Sequence, residues 1–455
     1  MRRHVIIGHF GPLDIASVAT AAGALVTRID LVASQARLDH GIGQALEDLA
    51  TIGVFPSEIG LDLLVLASLV HLADTRISRA IESQDTWTRE VHLVVPVCDP
   101  SRWNPVATLV VRMLNFLTGD LWTITFRPRP KDFTSAVPPR PAQMISPPFD
   151  KLSLFSGGLD SLVGAINALE QGSTPLLVSH AGEGATSGAQ KSCFDKLEAH
   201  YNPHTLGRLR VWMNFPKGVV KGTKSEGTTR GRSFLFFALG VFASTGLDGS
   251  IPLSVPENGF IALNVPLDSL RLGALSTRTT HPFYMARWNQ LLTLLGLPVR
   301  VENPHWNMTK GEMVAACANP TLLKGLVPDS LSCSSPTKSR WQGHGPEHCG
   351  YCLPCLIRRA ALDAAWGAGD DPTKYTVPDL GARALNTRQA EGRQIRSFQF
   401  AISRLRARPG LEKFLIHKPG PLWDESAHLD DLAGVYRRGM DEVGALLAGA
   451  RAEPA

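Results

Sequence analysis

The chain has 455 residues, and 44% hydrophobic with 19% charged content excludes a disordered polymer. That length exceeds one ordinary core and predicts roughly two to four folded units. A net charge of +5 suits anionic ligands such as nucleotides but is too small to argue for nucleic acid.

In chain order, Met1-Arg2-Arg3 is basic but is followed by a stretch broken by His4, His9 and Asp14, so no secretory pattern is expected. Residues 61–80 read as a helix. The apolar run Leu61 to Ala73 inside it contains Asp62 and His71, and it falls short of the roughly 18 residues of a membrane span. Residues 91–98 read as a strand, 105–117 as a helix and 121–127 as a half-buried strand in which Trp122, Ile124 and Phe126 alternate with polar residues. This gives an α+β domain over 1–127, of unknown role. The seven prolines in 127–149 then predict a linker, placed at 128–149.

Beyond it the pattern becomes strand–loop–helix. Strands are predicted at 152–156, 175–180, 209–215 and 251–255, with helices at 159–170 and 233–244. Such alternation implies an α/β fold with a parallel sheet covered on both faces, here over 150–365. Residues 366–455 read as a helical extension. In its last helix Leu432, Val435, Tyr436, Met440, Val443 and Leu447 form a stripe expected to pack on the main domain.

Two segments carry chemistry. Ser156-Gly157-Gly158-Leu159-Asp160-Ser161 joins a strand directly to an amphipathic helix. Two glycines allow close backbone approach to a ligand, and the N–H groups of a helix start face an anion with the dipole behind them. Ser156 and Ser161 add hydroxyl donors, and Asp160 reads as a partner of Mg²⁺ or of another loop. A plain N-capped turn is the simpler reading of a Gly-Gly pair. The second segment is Cys333, Cys349, Cys352 and Cys355, spaced C-x15-C-x2-C-x2-C, which fits a closed structural Zn²⁺ site. An iron–sulfur cluster, or His344 and His348 as substitute ligands, stay open. Cys98, Cys193 and Cys317 read as buried thiols, and a clustered set of cysteines implies a reducing cytoplasm.

The string SGGLDS together with Cys349-Gly350-Tyr351-Cys352-Leu353-Pro354-Cys355-Leu356-Ile357-Arg358 resembles the QueC family, the 7-cyano-7-deazaguanine synthases, which are PP-loop ATPases. Arg232-Ser233 and Thr309-Lys310-Gly311-Glu312 resemble two further family strings, and the latter also reads as a capping box. The resemblance covers about 150–365 and implies a Rossmann-like, adenine nucleotide alpha hydrolase-like fold. It implies ATP, Mg²⁺ and Zn²⁺ as cofactors and AMP-forming activation of a deazapurine acid. Asp160, Lys310 and Arg232 would then act on the phosphates; Lys310 reads equally as a solvated surface lysine. Where the family carries a Y-P-D-C-R type segment this chain has Val255 to Phe260, so Glu257 and Asn258 are the substrate candidates, against a simple Asn-Gly turn.

The added N-terminal domain makes the chain similar to the QueC-like proteins of antiphage defence operons, the QatC type. That implies a partner protein of the same operon as acceptor; neither membrane nor nucleic acid is expected. Lys217 to Arg232, with five basic residues and four glycines, reads as a lid over ATP or as a solvated loop. The rival functions are a PP-loop enzyme modifying tRNA bases and a non-enzymatic ATP-sensing scaffold of a defence complex.

Overall fold

The computed structural model describes residues 2–454 except 21, 34–36, 84, 143–146, 183, 203–205, 269–277, 338–342 and 344. His344 therefore lies outside the described residues.

Residues 1–127 hold strands β1 (Arg3–His9), β2 (Leu25–Asp30), β3 (Glu90–Val97) and β4 (Leu121–Pro128). They form one sheet in the order β2-β1-β3-β4, and every pairing is parallel. The α+β expectation is thus corrected to a second α/β layer. β1 and β2 carry weak sequence signals: His4, Gly8 and His9 interrupt the apolar run of β1, and β2 is only six residues long and partly exposed. His4 is nonetheless buried, its Nε2 3.0 Å from a Glu82 carboxylate oxygen.

The helix Glu58–Arg76 is buried on nearly every side. It lies between this sheet and the helix Arg232–Ser244 of the following unit, and an all-round apolar surface is what such a sandwiched helix needs. One core cluster runs through both units, from Ile6 and Leu64 to Phe237 and Val301.

The proline-rich stretch is anchored rather than loose. Buried Arg129 pairs with Glu58 (2.5 Å) and with Asp62, and the backbone N–H groups of Ala136 and Val137 donate to Glu58 at 2.7 and 2.9 Å. Arg129 gives Asp62 a partner, although burial still pushes the Asp62 carboxyl above its ordinary range.

The second sheet holds β5 (Lys151–Leu154), β6 (Pro175–His180), β7 (Gly207–Val211), β8 (Leu253–Ser254) and β9 (Val301–Glu302). Its order is β7-β6-β5-β8-β9, again parallel throughout. β7 stops at Val211 instead of 215, because Val211 pairs with His180, the last residue of its only ladder neighbour. The helices Leu159–Glu170 and Arg232–Ser244 fall where the periodicity placed them.

The C-terminal helices build a separate apolar cluster. Leu432, Val435, Tyr436, Met440, Val443 and Leu447 join Phe260, Leu263, Leu356 and Ile357 in it, as the stripe predicted. Among the described residues no helix is long and apolar enough to cross a membrane.

Candidate functional site

Strand order reverses between β5 and β8. From β5 the chain steps to β6 and β7 on one side, then returns to β8 on the other. In open parallel sheets that reversal leaves a crevice outside the carboxyl ends of the two strands. The glycine turn 156–158 follows β5, and Pro256 and Glu257 follow β8, so both reach this crevice. A cavity of about 450 Å³ opens there. Ser156, Gly158, Asp160, Glu257 and Lys310 line it, together with Ser332, Cys352 and Gln394.

Gly157 has φ +76°, and a Cβ on it would lie 2.8 Å from the Gln190 backbone nitrogen. The turn therefore requires glycine on both conformational and steric grounds. Gly157 itself faces Gln190 rather than the cavity. Ser156 Oγ accepts from the Gly158 N–H at 3.3 Å. Ser161 turns inward, its hydroxyl donating to the Gly158 carbonyl at 2.9 Å, so it shapes the loop without lining the cavity.

Asp160 is the hub of the charged side chains. Its Oδ1 pairs with the Lys310 ammonium, and its Oδ2 accepts from the Asn258 side-chain and backbone N–H groups at 2.7 and 3.2 Å. Burial pushes the carboxyl up, but the Lys310 charge and the Asn258 bonds outweigh it and hold the group below its ordinary range. Both oxygens are thereby engaged. On this arrangement Asp160 orients Lys310, the reading of it as the partner of another loop.

Lys310 sits at the first position of the helix Lys310–Ala315, whose N-cap is Thr309 in a capping box with Glu312. It is buried, so the surface-lysine reading is excluded. The C-terminal helix Leu429–Leu446 braces that turn: the Thr309 hydroxyl donates to Glu442, and Arg438 pairs with Glu312 at 2.5 Å. The two elements approach closely here: a Cβ on Gly311 would stand 2.6 Å from Glu442 Oε1.

Glu257 lines the cavity beside this pair. The Thr280 hydroxyl donates to its Oε2, and its own N–H donates to Asn303 at 3.4 Å. Burial is the main reason its carboxyl is pushed up to about 7, with the Asp160 charge adding to the effect. Asn258, the other substrate candidate, is fully buried and does not line the cavity. Its Oδ1 caps the five-residue helix Gly259–Leu263 by accepting from Ile261 N–H at 3.0 Å, while its amide holds Asp160. Asn-Gly here is a helix start, not a hairpin turn.

Arg232 does not line the cavity. Its Nη2 donates to the His180 carbonyl at 3.3 Å, at the end of β6. The basic segment before it is not a lid over the loop. Arg2 donates to the Gly222 carbonyl at 2.8 Å, Glu226 bonds Thr75 and Arg79, and Arg230 stacks 3.9 Å from the Trp87 ring centre. Gly231 N–H donates to Asp74 at 2.7 Å. These partners belong to residues 1–127, so the segment clasps the two units together.

The four cysteines converge, with all Sγ atoms within 4.8 Å of one another. Cys333–Cys352 and Cys349–Cys355 are 3.8 and 3.9 Å apart. Thiolates on a tetrahedral zinc at about 2.3 Å would stand roughly 3.8 Å from each other, so the donor set fits Zn²⁺. Backbone N–H groups of Ser335, Cys349 and Cys352 point at Sγ atoms at 3.3 to 3.5 Å, the bonds that steady thiolates. His348 is not part of the cluster: its Nε2 accepts from the Ser332 N–H at 3.1 Å.

The cluster is wired to the glycine turn. Leu331 N–H donates to the Gly157 carbonyl at 2.8 Å, and Ser332 Oγ accepts from Leu159 N–H at 3.5 Å. Buried Arg358 holds the same segment through Ser330 Oγ at 2.9 Å and the Val327 carbonyl at 2.7 Å. Sequence reasoning missed Ser332, Thr280 and Gln394. Ser332 is signalled only by standing next to Cys333; the other two have no local motif.

No family model matches the chain. It is similar to 7-cyano-7-deazaguanine synthase 1 of Mesorhizobium japonicum, with 30% identity over 94 residues. The match covers 20% of this chain and 34% of that protein, so the chain spans about a third of the length of the curated relative.

Proposed function

We propose that the protein activates a 7-deazaguanine-type carboxylic acid with ATP, forming AMP and pyrophosphate, and passes the acyl group to an amine as an amide. The observation that carries this reading is the glycine turn at the sheet's reversal point, opening onto one cavity with Lys310 and Glu257. The similarity to a 7-cyano-7-deazaguanine synthase supports the choice of acid.

A carboxylate oxygen attacks the α-phosphorus, the bond to the β-bridging oxygen breaks, and pyrophosphate leaves. The amine then attacks the acyl carbon and AMP departs with that carboxylate oxygen. In the first step the Gly158 region and Ser156 offer donors to phosphate, and Lys310, aimed by Asp160, meets the charge that develops. Glu257 is placed to accept N–H bonds from a guanine-like edge. Zinc on Cys333, Cys349, Cys352 and Cys355 would hold Leu331 and Ser332 against the loop and would add no reacting group; no step is drawn through Mg²⁺.

The acceptor is ammonia or an amine of a partner protein, and the QatC-like layout supports an antiphage defence operon as the setting. The test is acid-dependent exchange of labelled pyrophosphate into ATP, followed by mass analysis of products with ammonia or partner protein. AMP formed in step with acid consumption is expected. Release of ADP without AMP would refute adenylation.

A further inference from the structure

Ser332 lines the same cavity as Ser156, Gly158 and Lys310, and it comes from the segment that leads into the four cysteines. Three contacts set its place against the glycine turn. Its Oγ accepts from the Leu159 N–H at 3.5 Å, at the first position of the helix Leu159–Glu170. A Cβ built on Gly158 would stand 3.7 Å from Ser332 Oγ. Arg358, from the helix Leu353–Trp366, donates to that oxygen through Nη1 at 3.4 Å.

These contacts decide what the hydroxyl presents to the cavity. A serine oxygen has two acceptor lone pairs and one hydrogen. Leu159 and Arg358 take both lone pairs, so the hydrogen is what remains. The Arg358 guanidinium is buried, and among the described residues it bonds only neutral oxygens, those of Ser330, Ser332, Thr373 and the Val327 carbonyl. A full positive charge donating to Oγ polarises the hydroxyl and makes it a stronger donor. Ser332 thus takes up an N–H of the helix start, where an anion would otherwise sit, and offers an O–H in its place. The ligand that matches a strengthened donor beside a glycine turn is an anionic oxygen.

We infer that Ser332 is a phosphate-binding residue of this site, its hydroxyl donating to a phosphate oxygen of ATP held at the glycine turn. The inference rests on the ATP use proposed above, and it assigns part of the phosphate cradle to the approach to the cysteines, outside the string 156–161.

The experiment is calorimetry on the full chain with α,β-methylene-ATP and with adenosine, for wild type, Ser332→Ala and Ser332→Asp. Zinc content and urea midpoint check that each variant is folded. Ser332→Ala is expected to weaken the triphosphate about ten- to hundredfold and leave adenosine unchanged, because the lost bond is to an anion. Ser332→Asp keeps an acceptor for Leu159 and Arg358 but gives phosphate no hydrogen, so it should weaken the triphosphate at least as much, with adenosine again unchanged. Triphosphate affinity equal to wild type in a folded variant overturns the inference. So does a loss shared equally by adenosine, which marks damage to the whole pocket. If Ser332→Ala does not hold zinc, Ser332→Asp decides on the same terms. Wild type that fails to bind α,β-methylene-ATP overturns the inference as well. Acid-dependent exchange is scored separately: wild type that binds the triphosphate but exchanges with no acid refutes adenylation and leaves the assignment of Ser332 standing.

Discussion

Lys310→Met removes the ammonium and keeps most of the side-chain volume, so it isolates the ion pair with Asp160. The two side chains are only 8% and 13% exposed. Removing one partner of a buried pair costs about 3–5 kcal/mol, because the other charge stays behind. Asp160 would keep its two Asn258 bonds, at 2.7 and 3.2 Å, which places the expected loss near the lower end, about 3 kcal/mol at pH 7.5. The pH dependence has a definite sign. In the wild type the Asp160 carboxyl lies below its ordinary range, so its contribution is present above about pH 4 and is lost as pH falls through the native value. Without Lys310 burial dominates and raises that value, so the variant recovers by taking up a proton as pH falls. Urea unfolding should therefore show a gap at pH 7.5 that narrows by pH 4.5, and adding Asp160→Asn should recover part of it. Pyrophosphate exchange should fall at least a hundredfold in the single variant. A gap under about 1 kcal/mol at pH 7.5, or one indifferent to pH, would refute the pairing.

Glu257→Gln probes the second carboxyl. Its native value of about 7 means that the folded chain keeps a proton the unfolded chain releases near its ordinary value. Its stabilising contribution is complete at low pH and is lost as pH rises to about 7. Wild type should lose about 2 kcal/mol more than the glutamine variant between pH 4 and pH 8, allowing for partial solvent access, and parallel curves would contradict this. Gly157→Ala forces a side chain into a left-handed position against Gln190 and should cost about 1–3 kcal/mol with loss of exchange; a melting temperature equal to wild type would count against the turn geometry. Cys352→Ser should lower bound zinc as read by elemental analysis. Because Leu331 and Ser332 tie that segment to the glycine turn, ATP affinity by calorimetry should weaken as well. Retained zinc would dismiss the four-thiolate site.

The parts of the site legible in the sequence were those with local signatures. A strand, two glycines and a helix leave a string of six residues, and four thiols at tight spacing leave another. Thr309 and Glu312 announced their capping box because its two partners are three residues apart. The pairing of Asp160 with Lys310 joins residues 150 apart and left no periodic trace. Asn258 read as a turn because an N-cap and a turn use the same residue, and only the chain beyond Gly259 decides between them. Of the four parallel strands of residues 1–127, β3 and β4 were legible, whereas β2 is a partly exposed edge strand with only six residues to carry a pattern. Arg232 shows a position that a motif alone does not locate: folding brings its guanidinium to the carbonyl at the end of β6, outside the lining of the cavity.

Oxygen transfer separates acid activation from simple ATP breakdown. The protein is incubated with ATP, an amine and a deazaguanine acid whose carboxylate carries ¹⁸O, and the AMP is weighed by mass spectrometry. Attack of the carboxylate on the α-phosphorus followed by amide formation leaves one labelled oxygen in AMP. Unlabelled AMP, with the label retained in the acid, would mean that water is the attacking group and would contradict the account.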